Sequence, residues 1–377
     1  MSGFNPDRFL SETVVPPTDS FVEPQAPVTL WVDSKNRPMF PHTVDSTMLA
    51  AFRSCPQKMF RQYVQHWKST SESVHLVAGG AFAKGLEVAR RAYFEGVASV
   101  PTVSYDSANN FKRKVTWDEL PCPQHDNTFA TSAGLAALIA AYGDFECPPE
   151  SAKSLERTAG ALEFYFDRYP LGADGMLPIH LPNGKSGIEF SFANPLEFRH
   201  PISGDPILYT GRADLICHFA DDVWILDDKT TTSLGASWAN QWELRSQFTG
   251  YAWSAKQQGL EAAGCLVRGV SILKTKYDTQ QVMTYRTEHE MERWYKQVHR
   301  DLQRMLNCWE EGWWDYSLDS ACTEYGGCSL TRICKSQSPD DYLPIYFHQR
   351  VWDPLARREL TVAEWEQEWA GKAIVGA

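Results

Sequence analysis

The residues best suited to chemistry lie between positions 207 and 231, ILYTGRADLICHFADDVWILDDKTT. Asp214 stands in the first half; Asp227, Asp228 and Lys229 stand in the second. Both halves have the β-branched and aromatic composition of strands, and Ala220–Val223 offers a tight connection between them. With Asp221 and Asp222 as a two-residue turn, 214 opposes 229 and 216 opposes 227. Side chains alternate faces with a period of two, so Asp214, Asp227 and Lys229 project from one face and Asp228 from the other. Two carboxylates hold a hard divalent cation such as Mg²⁺ and leave sites for water and a phosphate oxygen. A lysine beside them orients that water and offsets charge growing on phosphorus. A plainer reading keeps Asp227 and Lys229 as an exposed ion pair, since D-x-K alone is common. The apolar run Val223–Leu226 favours a strand buried on both faces instead.

A second set is thiol chemistry. Cys322, Cys328 and Cys334 fall close together in a Gly-containing loop, and Cys55 stands far upstream in CPQKMF. Zinc sites favour tight C-x2-C pairs, which these five-residue gaps fit less well. Iron–sulfur clusters accept wider, family-specific spacings. Three reduced thiols or a zinc site remain open at this point. Cys122, Cys147, Cys217, Cys265 and Cys308 are scattered and read as small buried apolar residues. Nine cysteines is an odd count, and with no export signal it argues against a disulfide framework.

The elements that must position these groups follow from period and punctuation. Residues 1–44 are Pro-rich and polar and read as an extended arm. From Ser46 a helix begins with Asp45 or Ser46 as N-cap, and Pro56 breaks it just after Cys55. A second helix is expected over about 81–94, following Gly79-Gly80. Residues 101–150 look irregular around an Ala-rich helix, and 153–168 is helical again. Strands follow at 187–193, 207–219 and 223–229, then a helix at 240–258, strands at 265–273 and 281–287, and a long helix at 289–310. A short helix is expected within 361–373. This order predicts an α/β fold with a mixed central sheet flanked by helices.

In sequence, a GRADLI strand, an ILDDKTT strand and a helix bearing QFTGY resemble the RecB-like branch of the PD-(D/E)XK nucleases. The resemblance implies a restriction-endonuclease-like core and catalytic roles for Asp214, Asp227 and Lys229. The family's Q-x-x-x-Y maps onto Gln247 and Tyr251, on one helix face, where they would contact the substrate backbone or the catalytic lysine. An earlier family pattern, G-x-x-x-H-x-x-L-E, is met by Gly79, Leu86 and Glu87, but Ala83 stands where the histidine would be. Glu87 is thereby a candidate third metal-binding acid, or a solvent-facing helical Glu near Arg90 and Arg91. Cas4 and the AddB nuclease domain carry one Cys before the nuclease motifs and three after. On that likeness Cys55, Cys322, Cys328 and Cys334 would hold a [4Fe–4S] cluster joining the amino- and carboxy-terminal segments. The implied layout is a nuclease domain over 45–335, with a helical insertion at about 95–185, and an extension over 336–377.

The implied activity is a DNA nuclease using Mg²⁺ or Mn²⁺, an exonuclease of recombination, repair or phage DNA metabolism, with a possible recombination or replication protein as partner. Composition bounds this reading. The chain has 377 residues, 43% hydrophobic and 22% charged, an ordinary globular mixture. No apolar run spans a bilayer and the amino terminus lacks a secretory pattern, so a cytoplasmic location is expected, the host's if the gene is a phage's. The net charge of −11 excludes a globally basic polyanion binder. Basic groups for a DNA groove would have to be local: Arg53, Lys58, Arg61, Lys84, Arg90, Arg91, Lys274 and Lys276. Trp238, Trp242, Trp253, Trp309, Trp313 and Trp314 could stack on bases or fill core. Two alternatives stand beside the nuclease: a non-catalytic iron–sulfur nucleic-acid-binding protein on the same scaffold, and a zinc-containing interaction protein.

Overall fold

The computed structural model describes residues 37–106, 112–182, 184–323, 327–355, 358–362 and 364–365. The expected arm lies mostly outside them, as does most of the expected helix within 361–373. Where the arm is described it is anchored: Phe40 is buried, and Arg37 lies over the Trp309 ring, 3.6 Å from its centroid.

Strand β1 (Thr43–Asp45) leads into α1 (Ser46–Ser54). Asp45 Oδ1 caps the helix by accepting from the backbone N–H groups of Thr47 and Met48, each at 2.8 Å. The break falls at Cys55, which is extended at φ −161°. Pro56, needing no N–H partner, opens α2 (Pro56–Met59), which continues as a π-helical turn, Phe60–Val64. After β2 (Trp67–Ser69) comes α3 (Val74–Glu95), closed by Gly96 at φ 66°. Gly79 and Gly80 lie inside this helix and do not precede it, because their cost is repaid by the buried stripe Ala78, Ala81, Phe82 and Leu86.

Within the stretch 101–150, expected to be irregular around a helix, lies most of a two-stranded antiparallel ribbon of β3 (Val97–Asp106) and β4 (Lys112–Pro121). The insertion is therefore part ribbon and part helix, the helices being α4 (Asn127–Tyr142) and α5 (Leu155–Arg168). Helices α3 and α4 cross at Gly85 and Gly134, where a Cβ on Gly134 would stand 2.7 Å from Gly85 O. Only glycine permits that approach.

The central sheet has seven strands. Five form the path β1-β7-β8-β9-β10, and β5 and β6 pair with β7. They are β5 (Leu177–Pro178), β6 (Ile188–Arg199), β7 (Pro206–Phe219), β8 (Asp222–Thr231), β9 (Ala262–Ile272) and β10 (Tyr277–Tyr285). The pairs β1·β7 and β8·β9 are parallel and the others antiparallel. The sheet is thus mixed, as expected. Between β8 and β9 the expected single helix is two, α6 (Ala236–Asn240) and α7 (Ser246–Gln257). A long helix, α8 (Glu288–Glu311), follows β10 and starts with a Thr287/Glu290 capping box.

Both sheet faces are covered. Ile216, Ile225 and Val267 pack under α1, α7 and α8. Their strand neighbours Leu215, Trp224, Leu226 and Leu266 face the opposite side. On that side α3, α4 and α5 form a second core with Val270 and Ile272. This double cover is why the 223–226 run is apolar without alternation. The end of the chain supplies α9 (Ser320–Thr323), α10 (Thr331–Cys334), α11 (Pro339–Tyr346), β11 (Phe347–Gln349), β12 (Val351–Asp353) and β13 (Arg358–Leu360). Strand β11 pairs with β2, and Trp352 Nε1 donates to Asp45 Oδ2 at 2.8 Å. Among the described residues no helix is long and apolar enough to cross a membrane.

Candidate active site

The β7–β8 hairpin turns at Ala220 and Asp221, with φ 48° and 70°, and not at Asp221 and Asp222. Phe219 pairs with Asp222 and Leu215 with Leu226, a register two residues from the expected one. Local turn preference would put Asp, not Ala, at a positive φ, a cost of about 1–2 kcal/mol for Ala220. The cross-strand pairs of this register, Ile216 with Ile225 and Cys217 with Trp224, outweigh it. A shift of two preserves the face. Asp214, Asp227 and Lys229 share one side, and Asp228 points to the other.

The β7–β8 ladder ends at Leu215↔Leu226, one step before the two acids. There Asp214 replaces a backbone carbonyl: its Oδ2 accepts from the Asp228 N–H at 2.7 Å. Asp227 is 2% exposed, and its Oδ1 is paired with Lys229 Nζ. Burial, reinforced by the charge of Asp227, pushes the Asp214 carboxyl up to about 6. Burial pulls on the Lys229 ammonium, but the charges of Asp227 and Asp214 outweigh it and hold its pKa above the ordinary lysine value.

A further acid joins this row that sequence reasoning missed. The pairs Ile188↔Leu215 and Phe190↔Ala213 bracket Glu189, so it stands opposite Asp214 on the neighbouring strand. Glu189 has φ 55° and pairs with Arg212 Nε at 2.6 Å. Burial pushes its carboxyl up to about 8; Arg212 opposes the shift, while Asp214 and Glu87 add to it. An acid set among Ile188, Phe190 and Phe192 was the available signal. Its meaning depended on which strand lay beside it.

Glu87 on α3 is held by Lys84, with both carboxylate oxygens 3.0 Å from Nζ, and its charge reaches Glu189. Gln247 Nε2 donates to Tyr251 Oη at 2.8 Å, and Tyr251 Oη donates to the Arg212 carbonyl at 2.9 Å. These two residues thus fix α7 to β7 just before Asp214, with the Tyr251 ring buried against Phe192.

Among the described residues, no group of three or more His, Cys, Asp or Glu side chains is arranged to hold a metal ion. The physical reason is visible: Lys229 neutralises Asp227, the Asp228 N–H takes Asp214, and Arg212 takes Glu189. The donor set nonetheless suits a hard divalent cation. It is all oxygen, half-buried to buried and mutually repelling, and bound positive charge would offset both the burial and the repulsion that raise Asp214.

Apart from these acids, Cys55, Cys322, Cys328 and Cys334 line one pocket with Lys58 and Leu330. Burial and then the charges of Cys328, Cys55 and Cys322 push the Cys334 thiol up to about 11. Cys334 thus lies within electrostatic reach of the other three thiols, and although thiols are ligands for soft metals, the four are not arranged here to hold one.

Several expected DNA contacts are structural. Arg90 is 3% exposed and bound to Asp228, while Arg53 pairs with buried Asp301 at 2.7 Å and Arg61 with Asp340 at 2.8 Å. Trp238, Trp242, Trp309 and Trp314 belong to the core, and Trp253 packs against it; Trp313 is exposed.

The sequence profile described as the PD-(D/E)XK nuclease superfamily matches residues 46–335. No curated protein matches the chain. Among solved structures, a Eubacterium rectale protein provisionally named an exonuclease is similar at 11% identity, covering 74% of this chain and 87% of that one, with a TM-score of 0.40. A protein designated SSO0001 is similar at 14% identity over 30% and 48% of the two chains, with a TM-score of 0.20. Neither likeness is close enough to bear on function.

Proposed function

The chain belongs to the PD-(D/E)XK nuclease superfamily, and from that premise we propose that it is a DNA exonuclease whose reaction is carried by Asp214, Asp227 and Lys229. The observation that carries this reading is the convergence of buried Asp227, half-buried Asp214 and the ammonium of Lys229 on one face of the β7–β8 hairpin. In this reading Asp214 and Asp227 hold Mg²⁺ or Mn²⁺, with Glu87 in reach of the same acidic row. When bound there, the cation polarises the phosphate and acidifies a water.

The chain's own groups do the rest. Lys229, kept charged by its two acids, orients the attacking water and offsets charge developing on the phosphoryl oxygens. Asp214 fixes the Asp228 N–H and so holds the strand at the point where its ladder stops. Gln247 and Tyr251 hold the approach to Asp214 through the Arg212 carbonyl.

The four cysteines fit a [4Fe–4S] cluster of the RecB-like and Cas4-like layout, acting as a clasp between the start of α2 and α10. The domain reading that accompanies it is a nuclease unit over 45–335 and an extension over 336–377. Substrates are DNA in recombination, repair or phage DNA metabolism. A second reading, a non-cutting DNA-binding protein, is favoured by Ala83 in the histidine position and by the net charge of −11.

Cleavage of end-labelled linear and circular DNA by anaerobically purified protein with Mg²⁺ or Mn²⁺ separates the two. Lys229→Ala should lose about 100-fold or more of the rate while retaining its fold. Cleavage of linear DNA alone supports an exonuclease. Undiminished cutting by Lys229→Ala removes the assignment.

A further inference from the structure

On the side of β8 away from the acids, five groups form one buried network. Arg90 Nη2 on α3 donates to Asp228 Oδ2 at 2.7 Å and to Tyr165 Oη at 3.0 Å. Tyr165 Oη donates to Asp228 Oδ1 at 2.8 Å. Arg268 Nη1 on β9 reaches the same Tyr165 oxygen at 3.2 Å and Asp174 Oδ2 at 2.7 Å. Two cations, two anions and a phenol are thus joined, Arg268 Nε also donating to Gln281 Oε1 at 3.0 Å, with Arg90, Arg268 and Tyr165 each at most 3% exposed.

Apolar side chains of the same volume would hold α3 and α5 on the sheet as well or better, because burying ions is costly even when they are paired. What a hydrogen-bonded network adds is a defined geometry. Its position gives that geometry a use. Asp228 is the residue between Asp227 and Lys229, so its carboxylate is the handle by which the strand is held from behind. Arg90 lies one helical turn beyond Glu87, so the same bond sets where α3 presents Glu87 to the acidic row. Arg90 is also within electrostatic range of Asp214 and Glu189.

We propose that Arg90 and Tyr165 are positioning residues that, through Asp228, set the register of α3 against β8 and thereby hold Asp227 and Lys229 in the geometry that binds the cation. This rests on the reading of those residues as the catalytic set. Neither touches substrate or metal. Their effect is therefore expected on metal affinity and turnover and not on DNA affinity.

The test uses the full chain as wild type, Tyr165→Phe, Arg90→Lys and, as a surface control on α5, the exposed Glu163→Gln. Mn²⁺ binding is read by electron paramagnetic resonance without DNA, followed by kcat and KM on linear DNA and by thermal melts. Tyr165→Phe and Arg90→Lys should weaken Mn²⁺ binding about tenfold and lower kcat similarly, with KM for DNA held within about twofold and Glu163→Gln unchanged. Folded Tyr165→Phe with Mn²⁺ affinity and kcat of wild type overturns the inference, and it decides alone should Arg90→Lys not fold. Wild type that binds Mn²⁺ but cuts no DNA defeats the nuclease reading instead, and the binding comparison still judges the positioning role.

Discussion

A lysine withdrawn from water ordinarily sheds its proton more easily; half-buried Lys229 keeps its own because Asp227 and Asp214 lie against it. The same balance of burial and neighbours sets the opposite behaviour elsewhere. His42 and His200 stack with ring centroids 3.7 Å apart. His200 Nε2 donates to Phe40 O at 2.9 Å, and its Nδ1 accepts from the backbone of Ile202 and Ser203. Burial, then the charge of His200, lowers His42 from 6.5 to about 4. A histidine whose folded pKa is depressed binds fewer protons than in the unfolded chain, so its contribution is complete above pH 6.5 and is lost as pH falls toward 4. Urea melts of wild type should lose about 1–2 kcal/mol more across that window than those of His42→Phe, a figure discounted for the partial exposure of the ring. An equal slope in the variant would contradict this. The sequence made Asp214, Asp227 and Lys229 legible, because one local hairpin and a period of two suffice to bring them together. Glu189 and Arg90 were not legible in their present roles. Each depends on which element lies beside it, information held by the β6–β7 ladder and the α3–β8 contact.

At the scale of elements, local and long-range preferences compete in the hairpin turn. Ala220 adopts φ 48° so that four apolar neighbours keep their partners. Replacing it with glycine removes the penalty of a Cβ in the left-handed region. Ala220→Gly should therefore raise stability by up to about 1 kcal/mol, seen as a higher Tm with unchanged activity. A lower Tm would mean the side chain contributes packing that exceeds its strain. The hairpin's existence and faces were readable, but its turn was not, since either turn gives the same alternation. The ribbon β3–β4 escaped recognition for a related reason. Its two strands are largely exposed and lack the one-sided apolar alternation that marks a strand packed on a core. Helix α3 was readable in its middle and underestimated at its start, because a glycine pair signals a break only where no buried face continues through it.

At the scale of the whole molecule, the two ends of the described chain meet. Strand β2 pairs with β11, Trp352 bonds the Asp45 cap, and the Cys55 pocket is completed by three cysteines from beyond residue 320. If those four thiols share a cluster, its removal frees the end of the chain but leaves the two cores intact. Cys55→Ser should lose bound iron and acid-labile sulfide and lower Tm by about 5 °C or more, with proteolysis confined to the segment after α8. Unchanged Tm and iron content would remove the clasp. Both Cys55 and the carboxy-terminal trio could be named from sequence, but their convergence could not be derived from spacing.

The same closure has a consequence for the order of events during synthesis. The acids of the β7–β8 hairpin leave the ribosome roughly a hundred residues before Cys334, and β2 waits some 280 residues for β11. The sheet can form on the nascent chain, while the seal is a late event that waits for translation of residues 322–352. A chain stalled or cut short before residue 322 would carry every catalytic group and none of the closure.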